Sequence, residues 1–206
     1  MFFSSIVGVI PSWLNSLVWT DYRLAVLFLV IIPLVLLIWS FVEKGDSISR
    51  LLMIYWRVAS LLAITVYLMI AAFPVSYVVS LIARILIPAS LWFWVDLNED
   101  IADRQPSPIK FCFNAWRWAI TIYSGLGAIT QLFFLNCAFK SQVALLNDDY
   151  CNIWLAAPWG YREFFHANTR VSVLGFLGII SLLIYFIYLG YFMLIKLPKQ
   201  GRSASG

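Results

Sequence analysis

Arg84 has the strongest chemical character of any residue in the apolar part of this chain. Tyr77, Ser80 and Arg84 occupy positions i, i+3 and i+7, so a helix would place all three on one face. An arginine within a bilayer needs a partner that offsets its desolvation. The apolar runs contain no Asp or Glu, so we expect water, a backbone carbonyl, a lipid phosphate, a bound ligand or another subunit. The alternative is that Arg84 extends its side chain to the head-group region.

Gln131 ends a polar stripe in which Thr121, Ser124, Ala128 and Gln131 recur at nearly heptad spacing. Such stripes usually hold helices together in a bilayer. The alternative is that the amide oxygen of Gln131 binds the magnesium of a pigment, because hard cations prefer oxygen ligands. A chlorophyll or a carotenoid is the cofactor class that this alternative leaves open. We expect no multi-histidine metal centre, because His166 is the one histidine of the chain.

The sequence offers no arrangement of residues for catalysis. It has no histidine with a serine or cysteine in a nucleophile motif, no glycine-rich phosphate loop and no Cys-x-x-Cys. We therefore predict that the protein is not an enzyme.

Residues 140–170 are an amphipathic loop with too many aromatic side chains to stay in bulk water. We predict that this loop lies on the membrane surface or against a partner. The predicted partner-binding residues are Trp154, Trp159, Tyr161 and Phe164, together with Tyr185 and Tyr188 of the last apolar run. Cys137 and Cys151 lie around the start of the loop, and they either form a disulfide in an oxidising compartment or remain free thiols.

The elements that position these residues are transmembrane helices. The chain is 63% hydrophobic and only 12% charged, and a bilayer core requires about 20 apolar residues per helix. We predict an all-α, multi-pass transmembrane helix bundle that forms one domain over residues 1–206, with five spans at 24–42, 52–72, 75–95, 116–135 and 171–195. The alternative has four spans, with one kinked helix over 55–83 and an interfacial helix over 85–95. Residues 1–20 are predicted to be an interfacial segment and 199–206 a flexible tail.

The distribution of Lys and Arg favours five spans over four, because the five-span arrangement collects most basic residues on one side. Lys196, Lys199 and Arg202 follow the last span, so we expect a cytoplasmic C-terminus and residues 140–170 on the opposite side. The net charge of +4 thus sets topology first and contacts lipids second. Membrane lipids are expected partners, and nucleic acid is not.

Four stretches carry a resemblance to a known family: LVWTDYRLAVLF at 17–28, IARILIPASLWFWVDLNED at 82–100, FNAWRW at 113–118 and KQGRSASG at 199–206. They resemble an uncharacterised cyanobacterial family of small multi-pass membrane proteins. The resemblance implies a thylakoid membrane with residues 140–170 in the lumen. It also implies an accessory or assembly subunit that docks on a photosystem. A small transporter or a lipid- or pigment-handling protein that uses Arg84 is the second expectation.

Overall fold

The computed structural model describes residues 12–204, and in this part of the chain it contains α-helices and no β-strand, which confirms the all-α class. The first helix, α1, begins with Ser12–Ala25 and continues through a π-helical stretch, Val26–Ile31, into Ile32–Val42. The last helix, α9, likewise continues from Val171–Tyr191 through Phe192–Lys196 into Leu197–Gln200. Between them lie α2 (Asp46–Ile70), α3 (Val75–Trp92), α4 (Val95–Asp103), α5 (Pro108–Phe133), α6 (Gln142–Leu146), α7 (Asp149–Asn152) and α8 (Ala156–Phe165).

Four of these helices are long and apolar enough to cross a membrane: Leu14–Val42, Asp46–Ile70, Val75–Trp92 and Val171–Lys199. The protein is therefore an integral membrane protein. The fifth predicted span corresponds to α5, which has 26 residues. Arg117, Gln131 and several Trp and Tyr residues make α5 less apolar than the other four. The five predicted spans thus correspond to five long helices, of which four satisfy both criteria.

The spans predicted at 52–72 and 75–95 correspond to α2 and α3, which are separated by a turn at Phe73 and Pro74. The N–H of Phe73 donates to the carbonyl oxygen of Leu68 at 3.0 Å, and Ala72 adopts a left-handed conformation with φ of 53°. Pro74 cannot continue the hydrogen-bond ladder of α2 because it lacks an N–H. The alternative of one kinked helix over 55–83 is therefore wrong, and residues 85–92 belong to α3 instead of a separate interfacial helix.

Both predicted end segments differ in part from the expectation. Of the segment predicted at 1–20, residues 1–11 lie outside the described residues, and residues 12–20 are continuous with α1. At the other end, residues 201–204 turn back towards α4. The N–H of Ala204 donates to Asp96 Oδ2 at 2.8 Å, and the N–H of Val95 donates to the carbonyl of Arg202 at 3.1 Å.

The helices pack around α2 and α3, which contact each other extensively; α2 also packs against α1 and α9, and α3 packs against α5. One contact follows directly from a proline in α1. Pro33 has no N–H, so the carbonyl of Leu29 lacks the donor that an α-helix would provide four residues later. The hydroxyl of Tyr55 in α2 donates to this carbonyl at 2.7 Å, and the indole of Trp116 in α5 donates to the neighbouring carbonyl of Phe28 at 2.9 Å. The freed carbonyls thus bind α1 to two other helices.

Glycines bring α9 close to α2 at one end only. An ideal Cβ on Gly175 would lie 2.6 Å from the Cβ of Ala71, and one on Gly178 would lie 3.2 Å from the backbone nitrogen of Leu68. Towards its other end α9 carries Tyr185, Tyr188 and Phe192 in place of glycine. The two helices are therefore in backbone contact near residues 68–71 and are held apart by large side chains near residues 50–57.

Gly175→Ala should lower the stability of the bundle, and Gly190→Ala should not, because a Cβ on Gly190 meets no atom within 4 Å. Both changes improve helix propensity by about 1 kcal/mol, and only Gly175→Ala adds an overpacking cost of about 1–3 kcal/mol. Thermal unfolding of the purified variants in mild detergent measures the difference. Equal stabilities would show that α9 is free to move away from α2.

Candidate functional site

A groove opens where α9 and α2 diverge, and α3 forms its floor. Its cavity measures about 510 Å³, which is within the range of small-molecule sites. Met53, Tyr188 and Met193 line it and are exposed, so the cavity opens to the protein surface. The complete lining is Arg50, Met53, Ile54, Arg57, Val58, Leu86, Ala89, Ser90, Phe93, Trp94, Tyr185, Tyr188, Leu189, Phe192, Met193, Lys196, Leu197 and Ala204.

The charged residues of the groove are all cationic. Arg50 and Arg57 come from α2 and Lys196 from α9, and no acidic residue occurs among the lining residues that the structure describes. Within residues 12–204 the two salt bridges join other pairs, Arg84 with Asp21 and Lys140 with Asp148. The three groove cations therefore have no carboxylate partner in the described chain.

Arg57 lies further from the start of α2 than Arg50, and both side chains are exposed. Seven residues separate them, which is two helical turns on one face and about 10 Å along the axis. Arg57 also lines a second cavity of about 320 Å³ that continues along α2 and α9 past Ser60, Ile64 and Ser181. Tyr185 and Tyr188, which we predicted to bind a partner, line both cavities.

Residues 201–204 close the opposite end of the groove. Ala204 is part of the lining, and Arg202 Nε donates to the carbonyl of Phe93 at 3.0 Å, with its guanidinium 5.5 Å from the ring centroid of Phe93. Gly201 adopts φ of 64°, a left-handed conformation that favours glycine and reverses the chain after α9. We call residues 201–204 the strap, and they lie at this end of the bundle.

Arg84 has an acidic partner, contrary to the expectation from the sequence. Its Nη2 donates to Asp21 Oδ2 at 2.6 Å, and the side chains of Arg84 and Asp21 are 11% and 26% exposed. The hydroxyl of Tyr123 donates to Asp21 Oδ1 at 2.7 Å. Asp21 was not predicted as the partner because the first apolar run starts after it, at Leu24. The helix α1 begins at Ser12, more than two turns before Asp21.

The other side of Arg84 lies against α5. An ideal Cβ on Gly127 would lie 1.5 Å from Arg84 Nη1, so only glycine permits this contact. Gln131, one turn further along α5, is 1% exposed. Its amide nitrogen is buried without a hydrogen-bond partner in the described part of the chain. Neither Arg84 nor Gln131 lines the groove.

The segment between α5 and α9 folds into a compact cap, which we define as residues 135–170. Cys137 and Cys151 are joined by a disulfide, with Cα atoms 5.7 Å apart. Lys140 donates to Asp148 and holds the pKa of that carboxyl below its usual value. Because the folded pKa is lowered, this contact stabilises the cap above the unfolded pKa of the aspartate and is lost as the pH falls through the folded pKa.

The predicted docking aromatics of the cap divide into two groups. Trp154 and Trp159 pack against the buried cluster that contains both disulfide cysteines, and the indole of Trp159 donates to the carbonyl of Ile70 at 3.0 Å. Tyr161 stacks between Phe165 and His166, at centroid distances of 4.8 and 5.9 Å. Phe164 is 82% exposed. Of the four cap aromatics that were predicted to bind a partner, Phe164 is the one that projects fully from the cap.

His166 contacts Tyr67 of α2, whose hydroxyl lies 3.1 Å from its Nε2. Among residues 12–204 no group of three or more His, Cys, Asp or Glu side chains could hold a metal ion.

The comparisons with known proteins give one match. The model of a family described as "Protein of unknown function (DUF3177)" matches residues 15–205, which is most of the chain. No curated protein and no solved structure matches the chain.

Removal of either partner of the Arg84–Asp21 pair should destabilise the bundle, and removal of both should restore much of the loss. Asp21→Leu leaves the guanidinium of Arg84 without a carboxylate, and Arg84→Met leaves the carboxylate of Asp21 without a guanidinium. We expect each single change to cost about 1–3 kcal/mol, with a favourable coupling of similar size in the double variant. Denaturation of the wild type, the two single variants and the double variant in detergent measures the coupling free energy between the two charges. Additive losses would mean that the two charges act independently.

Proposed function

Because the chain belongs to the DUF3177 family, whose description states no function, we propose its role from the groove: a non-enzymatic integral membrane protein that holds a membrane amphiphile. The amphiphile is a lipid or a pigment with a long apolar chain. It lies between α2, α3 and α9, with its chain along apolar side chains such as Leu86, Ala89 and Leu189.

The groove itself is the observation that supports this role. Ligand sites are concave and mostly apolar, with a few polar groups that fix orientation. This groove has that character, and it occurs between helices that are apolar enough to cross a membrane. An aqueous solute would gain little from such walls, whereas an alkyl chain gains about 0.8 kcal/mol for each buried methylene.

The proposal changes the residues that we assign to a lipid- or pigment-handling role. From the sequence, Arg84 was the candidate residue for binding the head group of the ligand. Its guanidinium already binds Asp21, and its other face lies on Gly127. Arg50, Arg57 and Lys196 are the available cations, and they line the cavity.

We place the protein in a thylakoid membrane, following the resemblance to a cyanobacterial family. In this placement the C-terminus is cytoplasmic, the strap of residues 201–204 lies at the cytoplasmic face, and the cap lies in the lumen. The disulfide between Cys137 and Cys151 is consistent with an oxidising compartment on the cap side.

Filling the groove should abolish ligand binding without harm to the bundle. Ala89 is exposed within the groove, so Ala89→Trp places an indole where the alkyl chain would lie. We expect affinity for a fluorescent lipid analogue to fall at least about tenfold, equivalent to about 1.4 kcal/mol. Ala63→Trp is the matched control, because Ala63 is exposed on α2 and lines neither cavity. Equal affinities in all three proteins would contradict the proposal.

A second candidate function is docking on a larger membrane complex through the cap. Phe139, Phe164 and Phe165 are 81%, 82% and 63% exposed on it, and large exposed apolar side chains outside the spans are typical of contact surfaces. The partner in this candidate is a photosystem, and the chain is its accessory or assembly subunit.

Phe164→Ser together with Phe165→Ser should release the protein from such a complex and leave lipid binding intact. Each buried aromatic anchor of an interface contributes about 2 kcal/mol or more, so we expect co-purified photosystem subunits to decrease more than tenfold. Glu163→Gln is the control, as it alters a neighbouring exposed residue of α8. Unchanged recovery of the subunits with the double variant would contradict docking through these phenylalanines.

A further inference from the structure

We infer that the amphiphile is a membrane lipid with an anionic head group of the phosphodiester class, and that Arg57 determines this specificity. The inference rests on the proposed groove function and adds the chemical class of the ligand.

The charges of the groove support an anionic ligand. Arg50, Arg57 and Lys196 contribute three cations, and the lining residues in the described chain include no carboxylate that would neutralise them. A zwitterionic head would bring its own cation into this field, whereas an anionic head would not. Such electrostatic complementarity selects a ligand by the sign of its charge.

The position of Arg57 on α2 gives a second argument. It is the twelfth residue of the 25-residue helix α2, and its side chain is exposed at the surface of the bundle. A guanidinium on a membrane-spanning helix needs an anion or a route to water. Arg84 is equally central in α3, and Asp21 meets that need for it. Arg57 has no carboxylate partner among residues 12–204, so an anion from outside the chain fills the same role.

The position of Arg57 also suits a lipid better than a free anion. It lines both the larger cavity and the smaller one, so a head group bound to it would have apolar space along the helices in two directions. Ser60, Ser181 and Tyr188 carry hydroxyls around the smaller cavity. A guanidinium donates two parallel hydrogen bonds to a phosphate, which a lysine cannot do.

The test uses the full chain, purified in mild detergent, and two fluorescent lipids with identical acyl chains. One is a phosphatidylglycerol and the other a phosphatidylcholine. We expect the wild-type protein to prefer phosphatidylglycerol by about tenfold or more, because hydrogen bonds to charged groups are stronger than those between neutral groups. Arg57→Gln should remove most of this preference and leave phosphatidylcholine affinity unchanged.

Three further variants test whether the preference depends on the guanidinium of Arg57 in particular. Arg57→Lys keeps the charge without the paired donors, so it should retain part of the preference. Arg50→Gln should reduce the preference less than Arg57→Gln, because Arg50 lies nearer the end of the helix. Arg170→Gln removes an exposed arginine that lines neither cavity, and it should behave as the wild type.

The outcomes separate the ligand class from the proposed function. Wild-type protein that binds neither lipid would overturn both the groove function and this inference. Equal binding of the two lipids by the wild type, or an unaltered preference in Arg57→Gln, would overturn the anionic specificity alone. Displacement of the labelled phosphatidylglycerol by millimolar inorganic phosphate would show a free-anion site, whereas resistance to phosphate supports a lipid held by its chains as well as its head.

Discussion

The pairing of Arg84 with Asp21 ties α3 to α1, and Tyr123 of α5 binds the same carboxylate. In hydrocarbon an unpaired guanidinium is costly, so α1 must present Asp21 at the level of Arg84. Gly127 lets the guanidinium rest on the α5 backbone. This polar contact therefore ties α1, α3 and α5 together, alongside the hydrogen bonds of Tyr55 and Trp116 to α1. This leaves α9, on the other side of α2, as the helix whose spacing can open a cavity.

The same requirement explains contacts elsewhere in the bundle. Polar backbone groups in a bilayer need partners within the protein. Pro33 deprives the carbonyl of Leu29 of the donor that an α-helix would provide, and Tyr55 supplies one from α2. The indole of Trp159 reaches from the cap to the carbonyl of Ile70, where α2 ends. Helix ends and proline sites thus become the points at which helices are joined, and the remaining surfaces need only apolar packing.

The sequence predicted the helices well because length and hydropathy determine them locally. The distribution of Lys and Arg favoured two spans over one kinked helix in this stretch, and the structure has the turn between α2 and α3 at Pro74. The partner of Arg84 could not be predicted, because α1 starts well before its apolar run and includes Asp21. The groove could not be predicted from the sequence either. It depends on close contacts of Gly175 and Gly178 with Ala71 and Leu68. Larger side chains lie further along the same two helices. Contacts between helices distant in sequence decide both features. The partial burial of Trp154 and Trp159 has a similar origin, because they pack against a cluster that contains both disulfide cysteines and the distant residues Met69 and Tyr77.

The two ends of the bundle differ in a way that limits how a ligand could reach the groove. At the cap end, α9 is in backbone contact with α2, and the cap adds a disulfide and a packed aromatic cluster. At the other end, residues 201–204 run from the end of α9 towards α3 and α4, where they form hydrogen bonds with Phe93, Val95 and Asp96. A ligand that enters from the cap end would have to break close helix packing. Entry between α2 and α9 at the strap end requires only local movement, and it leads first past Arg50 and Lys196 and then to Arg57. The order of the cations along this route matches the path that an anionic head would take with its chain in the bilayer.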